Sequence, residues 1–283
     1  MNKCKWAIIT GAGSGIGQAL SKKLIEKNYN VLGVGRRLDA LELTEEIVYK
    51  SFRNNKKVGN DQKKPIFKKL AVDITNKQDQ LEIYNSIPKN DILSFLVHNA
   101  AVGDPSNINE IDVEHFRYTL DVNVVAPLSL SQMFFTKLSN NKNINGGRIL
   151  HLGTGVAHQI QRGTGTYGIS KLAFYRLYQQ LNIDYEDTNV YITSARPGVV
   201  ATEGMIEHVN KANELKLPHA EYFNKLFENK NSSIESQQMQ AIDVVAEFLY
   251  CLLTKCPKEE YGRKEWSVNE GTNWWMGSNK AHL

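Results

Sequence analysis

Cysteine is scarce in this chain, with only Cys4, Cys251 and Cys256 among 283 residues. An odd number of cysteines, without metal-binding spacing or nearby histidine pairs, favours neither a disulfide framework nor a metal site. Reduced thiols are typical of proteins in a reducing compartment. We therefore expect free cysteines, no bound metal and a cytoplasmic location.

Long apolar runs are also missing. The longest apolar stretch, residues 244–253, is interrupted by Glu247, and it is far shorter than the ~20 residues of a membrane-spanning helix. The first apolar run, at residues 6–9, is too short for a secretory signal peptide. The sequence therefore predicts a protein that neither crosses a membrane nor is secreted.

No charge of one sign dominates, because 34 basic residues face 30 acidic ones and the net charge is +4. The basic residues are not gathered on one recognisable element, which gives no support for nucleic acid as the main partner. One basic run is interleaved with polar residues, at Arg53, Lys56, Lys57, Lys63 and Lys64. We interpret it first as a solvated loop, with an electrostatic docking patch as the alternative.

A hydrophobic content of 41% supports a sizeable core, and no break in composition divides residues 1–283. Short buried runs predict strands at residues 6–9, 31–35, 66–72, 92–97, 148–153, 190–194 and 265–268. Helical patterns follow residue 17 and cover residues 76–87, 113–138, 167–185 and 241–253, whereas the segment after Arg37 is interpreted as irregular. This alternation predicts a single α/β domain, a doubly wound parallel sheet (Rossmann) with helices on both faces.

A polar segment at residues 203–236 carries scattered apolar side chains. We interpret it as a helical lid insertion over a substrate site, and packing without lid motion is an equal alternative.

The first predicted strand leads directly into a glycine-rich turn and then a helix. This turn, at residues 10–17, contains Gly11, Ser14, Gly15, Ile16 and Gly17. Glycine allows a tight turn and close backbone approach to a pyrophosphate, and the helix amino terminus offers free N–H groups to the phosphates. Strand, glycine-rich turn and helix in this order predict a dinucleotide site.

The second predicted strand ends at Gly35 and is followed by Arg36 and Arg37. A chain that binds NAD would offer a carboxylate to the adenosine ribose near this point. A guanidinium can instead bind a 2′-phosphate through two hydrogen bonds. The sequence therefore predicts NADP(H), with two solvent-facing arginines as the alternative.

The segment from Thr154 to Lys171 carries the candidate chemistry. Tyr167 and Lys171 are four residues apart, so on a helix they share one face. A neighbouring ammonium would lower the pKa of the phenol, and Thr154 adds a hydroxyl at the end of the fifth predicted strand. This set suits proton transfer to or from an alcohol, although a Tyr–Lys pair at this spacing is usually a solvated surface pair.

Two further polar residues accompany this set. Asn123 lies inside the predicted helix 113–138, and Pro127 removes the N–H that would bond to its carbonyl. The freed carbonyl could bind a water, and a surface asparagine beside a kink is the alternative. We interpret His98, at the end of the fourth predicted strand, as a packed structural residue.

Taken together, these motifs resemble the short-chain dehydrogenase/reductase family over essentially the whole chain. The resemblance implies a tetrad of Asn123, Thr154, Tyr167 and Lys171. It also implies cofactor contacts from the glycine turn, from Arg36 and Arg37, from Tyr167 and Lys171, and from Asp73, Ile74, Asn99, Ala100, Ala101, Pro197, Gly198, Val200 and Thr202.

Two positions depart from the family pattern. Thr154 stands where the family has serine, and its extra methyl group stiffens the side chain and crowds the carbonyl that the hydroxyl must reach. Ala101 replaces the glycine of the family's Asn-Ala-Gly segment, which we expect to have little effect. Residues 153–157 and 196–202 most resemble the benzil and sepiapterin reductase branch, whose members reduce aromatic or vicinal dicarbonyls.

The resemblance implies an NADPH-dependent carbonyl reductase that converts a ketone, aldehyde or dicarbonyl to an alcohol. Two alternatives remain: a 3-oxoacyl-thioester reductase, and a non-catalytic NADP(H)-binding sensor in which Thr154 marks decay of the site. The resemblance also implies a homodimer or homotetramer, formed through the helices that contain Asn123 and Tyr167.

Overall fold

One seven-stranded sheet runs through the part of the chain that the structure, a computed structural model, describes: residues 3–54, 64–143, 145–228 and 239–276. The strands are β1 (Lys5–Thr10), β2 (Asn30–Gly35), β3 (Phe67–Ala71), β4 (Ile92–His98), β5 (Gly147–Leu152), β6 (Val190–Arg196) and β7 (Glu265–Ser267). They are parallel, in the order β3-β2-β1-β4-β5-β6-β7. The strand order reverses between β1 and β4, and ligands of such sheets bind outside the carboxyl ends of the strands at this point.

Helices connect the strands and cover both faces of the sheet. They are α1 (Gly15–Glu26), α2 (Leu38–Asn54), α3 (Lys77–Asn85), α4 (Val113–Leu120), α5 (Ala126–Ser139), α6 (Gly165–Asp184), α7 (Glu203–Glu214), α8 (Pro218–Glu228), α9 (Ile242–Thr254) and α10 (Lys258–Tyr261). The predicted doubly wound α/β fold is confirmed.

The side chains of β1 alternate between two apolar cores, as the period of a strand requires. Ala7 and Ile9 pack with apolar residues of α1, α2 and α9 on one face. Ile8 packs on the opposite face with residues of α3, α5 and α6. Because both faces of the sheet are buried here, β1 is an uninterrupted apolar run, and this run is the pattern that predicted the strand.

The prediction of an irregular segment after Arg37 is wrong, because α2 occupies residues 38–54. Its buried side chains, Leu41, Thr44 and Val48, recur at helical spacing between charged neighbours, so a narrow apolar stripe holds the helix on the sheet. Arg53 belongs to this helix rather than to a loop. The rest of the basic run, up to residue 63, lies outside the described residues.

The predicted helix 113–138 is present but contains an irregularity. A π-helical turn at Asp121–Val125 separates α4 from α5, directly before Pro127, whose ring cannot donate a backbone hydrogen bond. Such turns inside α-helices are frequent at functional sites. Asn123 lies inside this turn.

The segment predicted as helical beyond residue 203 forms α7 and α8 as far as Glu228. Residues 229–236 lie outside the described residues. The cysteines Cys4, Cys251 and Cys256 are free. Among the helices of the described ranges, none has both the length and the apolar character needed to cross a bilayer.

Candidate active site

The glycine turn after β1 has a backbone that only glycine accommodates well. Gly11 and Gly15 have φ angles of +68° and +54°, in the left-handed region. A Cβ atom on Gly17 would lie 2.3 Å from the carbonyl oxygen of Gly11. Ser14, the residue before α1, makes no side-chain capping bond to the helix, so the first-turn N–H groups stay open to a phosphate.

Thr10 and Asn99 hold this turn against the end of β4. The Asn99 side chain donates to the carbonyl oxygens of Thr10 at 2.9 Å and Gly11 at 3.0 Å. The Thr10 hydroxyl accepts from the backbone N–H groups of Asn99 and Ala100, both at 3.1 Å. Asn99 therefore fixes the shape of the turn with its side chain.

A cleft of about 350 Å³ opens beside the glycine turn. Its walls include the turn residues Gly13 to Gly15 together with Arg37, Asp39 and Glu203. The Arg37 guanidinium is exposed and forms an ion pair with Glu203 at 3.2 Å. This cleft places a cation beside the glycine turn, an arrangement that would suit a dinucleotide with an extra phosphate.

Arg36 points elsewhere. Its guanidinium donates to the phenol oxygen of Tyr118 at 2.7 Å, on α4. The two predicted arginines thus have different surroundings, and only Arg37 lines the cleft.

Asp73 follows β3, where the sequence predicted an adenine contact. One carboxylate oxygen accepts bonds from the N–H and the hydroxyl of Thr75, at 2.9 and 2.8 Å, and so closes a short turn. Ile74 is buried beside it, and Ala101 is exposed after the Asn99 segment.

The segment after β6 approaches the glycine turn. Gly198 has a φ of +73°, and Val200 is buried. The Thr202 hydroxyl caps α7 by accepting a bond from the N–H of Met205 at 3.3 Å. A Cβ atom on Gly15 would lie 3.0 Å from the methyl group of Thr202, so the segment that begins at Pro197 reaches the glycine turn.

Lys171 is buried, with 3% of the residue exposed, and its ammonium donates to the carbonyl oxygen of Leu152 at 2.9 Å. The same nitrogen lies 5.6 Å from the centre of the Tyr167 ring, so the pair shares one face of α6 as predicted. Burial lowers the pKa of Lys171 to about 8, and the charge of Glu265 acts in the opposite direction.

Burial raises the pKa of the Tyr167 phenol to about 12. This direction is opposite to the lowering that the sequence predicted from Lys171, because loss of hydration outweighs the neighbouring ammonium in the ligand-free protein. The phenol therefore keeps its proton at neutral pH, which is the form that a proton donor needs.

Thr154 follows β5 in an extended conformation, with its side chain uncommitted to capping the next turn. That turn is a 3-10 helix at Gly155–Ala157, and α6 packs on it. A Cβ atom on Gly168, next to Tyr167, would lie 3.3 Å from the carbonyl oxygen of Val156. The turn after Thr154 therefore lies against the first turns of α6.

Asn123 is 1% exposed, and its side chain forms two hydrogen bonds with the backbone of Val102. Its side chain accepts from the Val102 N–H at 2.9 Å and donates to the Val102 carbonyl at 2.7 Å. It also donates to the Ser170 hydroxyl at 2.9 Å, which in turn donates to the carbonyl of Tyr167 at 2.8 Å. The π-helical turn thus links the loop after β4 to α6.

Three residues that sequence reasoning missed also belong to this site. Ser170 precedes Lys171 directly, so its position was available as a signal. The backbone of Gly103 lies against Tyr167, because a Cβ atom there would be 2.8 Å from the tyrosine ring. The charge of Glu265, on β7, raises the pKa of Lys171, and no local sequence pattern marks an electrostatic interaction across so many residues.

His98 is buried and bonded through Nε2 to the Ser131 hydroxyl at 2.9 Å, which confirms its predicted structural role. It lies 5.1 Å from the ring of His151, centre to centre. Within the described ranges, no group of three or more His, Cys, Asp or Glu side chains could hold a metal ion.

Comparison with known proteins matches this fold and these motifs to one family. The sequence model of the short chain dehydrogenase family matches residues 5–213. A probable NADP-dependent dehydrogenase of Haemophilus influenzae is 28% identical over 70% of this chain and 72% of its own length. An uncharacterized oxidoreductase of Staphylococcus saprophyticus is 28% identical over 70% of this chain and 79% of its own.

Solved structures agree on the fold. A short chain dehydrogenase/reductase from Saccharomyces cerevisiae superposes with a TM-score of 0.78 at 22% identity, covering 94% of this chain and 96% of that one. The L-sorbose reductase of Gluconobacter frateurii, complexed with NADPH and L-sorbose, superposes with a TM-score of 0.76 at 19% identity, covering 99% and 98%. The chain belongs to the short-chain dehydrogenase family of oxidoreductases.

Proposed function

We propose that this oxidoreductase is an NADPH-dependent carbonyl reductase, which converts a ketone, an aldehyde or a dicarbonyl to an alcohol. The observation that carries the proposal is the buried Lys171 ammonium, bonded to the Leu152 carbonyl and placed next to a protonated Tyr167. Burying an ammonium is costly even when a carbonyl accepts its hydrogen bond, and a strongly perturbed pKa beside a phenol is typical of a functional site.

The cofactor is NADP(H). The glycine turn and the open first turn of α1 suit its pyrophosphate, and Arg37 in the adjoining cleft suits its 2′-phosphate. The Haemophilus relative is a probable NADP-dependent dehydrogenase, and the L-sorbose reductase was solved with NADPH. Both agree with this choice over NAD(H).

In the proposed reaction, bound NADPH supplies the hydride that reduces the carbonyl carbon. Tyr167 donates its phenolic proton to the carbonyl oxygen. Thr154 donates a hydrogen bond to the same oxygen and stabilises its developing negative charge, a contribution of typically ~3 kcal/mol for one such donor. The extra methyl group of Thr154, compared with serine, leaves this hydroxyl in place.

Lys171 binds the ribose hydroxyls of the nicotinamide nucleotide and favours ionisation of Tyr167 after proton donation. Asn123 anchors a water that returns a proton from solvent to Lys171. Its side chain is already committed to Val102 and Ser170. Its backbone carbonyl, freed by Pro127, is therefore the group that we assign to this water.

We propose that α7 and α8 form the lid over the substrate. The two helices are joined by His208 and His219, whose Nε2 atoms are 3.2 Å apart. His219 also donates from Nδ1 to the carbonyl of Arg162, in the loop before α6, at 2.8 Å. The lid thus contacts the loop between Thr154 and Tyr167, which would border the substrate.

The substrate class that we favour is a vicinal or aromatic dicarbonyl, on the resemblance of residues 153–157 and 196–202 to benzil and sepiapterin reductases. We also propose a homodimer or homotetramer through α4 to α6. These elements expose large apolar side chains, including Val125 at 52%, Leu172 at 51% and Ile183 at 63%. An interface between copies of the chain would bury such side chains.

A screen of NADPH oxidation tests the proposed reaction. The purified protein is assayed with diacetyl, isatin, benzil, aliphatic aldehydes and a 3-oxoacyl thioester, with NADPH binding measured in parallel by fluorescence. Turnover of a dicarbonyl or a simple carbonyl supports the proposal. Turnover of the thioester alone identifies a 3-oxoacyl reductase, and NADPH binding without any turnover identifies a sensor.

A further inference from the structure

Glu265 is a carboxylate enclosed by protein at the start of β7, with 6% of its side chain exposed. It pairs with Ser194 in the register between β6 and β7, at the end of the sheet where the candidate active site lies. A carboxylate with so little access to water needs hydrogen-bonding partners and compensating charge.

Three side chains surround this carboxylate. The Ser194 hydroxyl donates to Oε1 at 2.7 Å. His158 and Arg196 approach Oε2, with Nε2 of His158 and Nε of Arg196 each at 3.1 Å. His158 belongs to the turn after Thr154 and Arg196 ends β6, so one carboxylate joins three separate segments of the chain.

The carboxylate also lies directly against Gly153, the residue before Thr154. A Cβ atom on Gly153 would lie 2.2 Å from Oε1 of Glu265, so a side chain at this position would require the carboxylate to move. The N–H of Gly153 is bonded to the carbonyl of Ala195 at 2.8 Å, which keeps this stretch of backbone beside β6. The backbone next to Thr154 therefore lies between the Glu265 carboxylate and β6, and both help to fix its position.

Resting on the proposed function, we propose that Glu265 is a positioning residue of the reductase site. It holds the backbone that carries Thr154, and its negative charge compensates the buried ammonium of Lys171. Glu265 touches neither reacting group in this account and acts through these two residues.

The charges around Lys171 support this role. Lys171 has a backbone carbonyl as its hydrogen-bond partner, and the Glu265 charge raises its pKa against the effect of burial. Burial, together with the Lys171 charge, lowers the pKa values of His98 and His151, so both stay neutral. Tyr167 is neutral as well, since burial raises its pKa to about 12.

Two other side chains share the charge of Glu265 with Lys171. Arg196 and His158 are the positive or potentially positive groups beside it, and their side chains are 41% and 36% exposed. The Nε atom of Arg196 that faces Oε2 is itself buried, so this arginine offsets part of the Glu265 charge, and Lys171 responds to the remainder. Glu265 and Lys171 are both enclosed.

The test measures the pKa of Lys171 directly, by NMR of the protein labelled with ¹³Cε-lysine. The Lys171 signal is assigned from its loss in K171R. The isosteric E265Q variant removes the charge and keeps the shape, and S194A is the control because it removes a hydrogen bond to the same carboxylate without changing any charge.

We expect E265Q to lower the pKa of Lys171 by about 1, as loss of a neighbouring opposite charge does, and S194A to change it much less. The alkaline limb of kcat/KM should move to lower pH by the same amount in E265Q. An unchanged Lys171 pKa in folded E265Q would overturn the proposal, as would an equal change in S194A.

A second variant covers the case in which E265Q does not fold. R196Q removes the more exposed partner of the carboxylate, so the Lys171 pKa should rise, and a fall or no change would overturn the proposal. The NMR titration needs no substrate. The two proposals can therefore fail separately. If E265Q lowers the Lys171 pKa but the wild-type protein reduces no carbonyl, the Glu265–Lys171 interaction is supported and the proposed reductase activity is rejected.

Discussion

The ammonium of Lys171 is held by the carbonyl of Leu152, the last residue of β5, through a hydrogen bond of 2.9 Å. Leu152 lies two residues before Thr154, so the strand that delivers the hydroxyl also fixes the cation. The Tyr167–Lys171 spacing on α6 is therefore only one half of the arrangement. The other half is a contact between a helix and a strand end that are 19 positions apart in the chain.

Replacing Lys171 by methionine should stabilise the protein while removing its activity. Burial lowers the pKa of this lysine from 10.5 to about 8. Between these values the unfolded chain holds a proton that the folded protein has released, so stability rises with pH through this window. Below this window the lysine is charged in both the folded and the unfolded chain, so burying its charge lowers the stability by the same amount at every pH.

At pH 7 we expect K171M to raise the free energy of unfolding by about 1–3 kcal/mol, because the lowered pKa means that the folded protein disfavours the charged lysine even with the Glu265 charge included, by ~1.4 kcal/mol per unit. Urea denaturation measures the change. The control is K22M, at a lysine whose partner Asp243 is exposed, and it should change stability by less than about 1 kcal/mol. A K171M protein less stable than wild type would show that the ammonium supports the fold.

Gly17→Ala should damage both the fold and cofactor binding. The new methyl group would lie 2.3 Å from the carbonyl oxygen of Gly11. Because the methyl group is fixed to the backbone of residue 17 and the oxygen is part of the backbone, the turn itself must move. We expect a loss of about 1–3 kcal/mol in unfolding free energy and at least ~10-fold weaker NADPH binding, which is ~1.4 kcal/mol.

Gly204→Ala is the matched control for this change. Gly204 lies in the first turn of α7, and a Cβ atom there meets nothing within 4 Å. An alanine in an exposed helix should stabilise by roughly 0.5–1 kcal/mol. Equal effects of the two substitutions, in thermal unfolding and in NADPH titration, would contradict the close approach of Gly17 to Gly11.

Arg37→Ala should weaken NADPH binding and leave NADH binding unchanged. A hydrogen bond to a charged group contributes about 1.5–3 kcal/mol, so we expect roughly a 10- to 100-fold loss of NADPH affinity. Glu203→Gln should strengthen NADPH binding, because it frees Arg37 from its ion pair.

Arg36→Ala provides the comparison, since the Arg36 guanidinium binds Tyr118 rather than lining the cleft. Fluorescence titration with both nucleotides measures each variant. A larger loss in R36A than in R37A would reassign the 2′-phosphate contact to Arg36.

Acid should destabilise the protein through its buried histidines. Burial lowers the pKa of His98 from 6.5 to about 3, so between these values the unfolded chain binds a proton that the folded protein does not. Stability therefore falls as pH falls below 6.5, by up to ~1.4 kcal/mol per pH unit for this residue. His151 has the same direction of shift and adds to the slope.

We expect H98Q to flatten this dependence by roughly one proton between pH 6 and 4, in urea unfolding measured at several pH values. A wild-type slope in H98Q would mean that the folded protein already accommodates a charged His98.

Much of the fold could be predicted from local sequence. The run from Trp6 to Ile9, followed by glycines at fixed spacing, defines a strand, a turn and a helix within a few residues of each other. Helix α2 was missed because its charged side chains outnumber the stripe of Leu41, Thr44 and Val48. Its stability depends on packing against the sheet, which a local pattern does not contain.

Parts of the site could be predicted for the same reason. Tyr167 and Lys171 were identified by helical spacing, and Pro127 pointed to the irregular turn at Asn123. The pKa of Tyr167 was predicted in the wrong direction because burial, which dominates it, depends on the whole fold. Glu265 was missed because it meets Ser194 and His158 across 71 and 107 positions of the chain.

The most direct test of the account replaces Tyr167 by phenylalanine and follows NADPH oxidation with a carbonyl that the wild type reduces. The phenylalanine keeps the ring against Gly103 and removes the proton. We expect turnover to fall by at least ~10²- to 10⁴-fold, the usual contribution of a proton donor, while NADPH affinity stays near that of wild type. Turnover within a few fold of wild type in a folded Y167F protein would contradict the central claim that this phenol protonates the substrate.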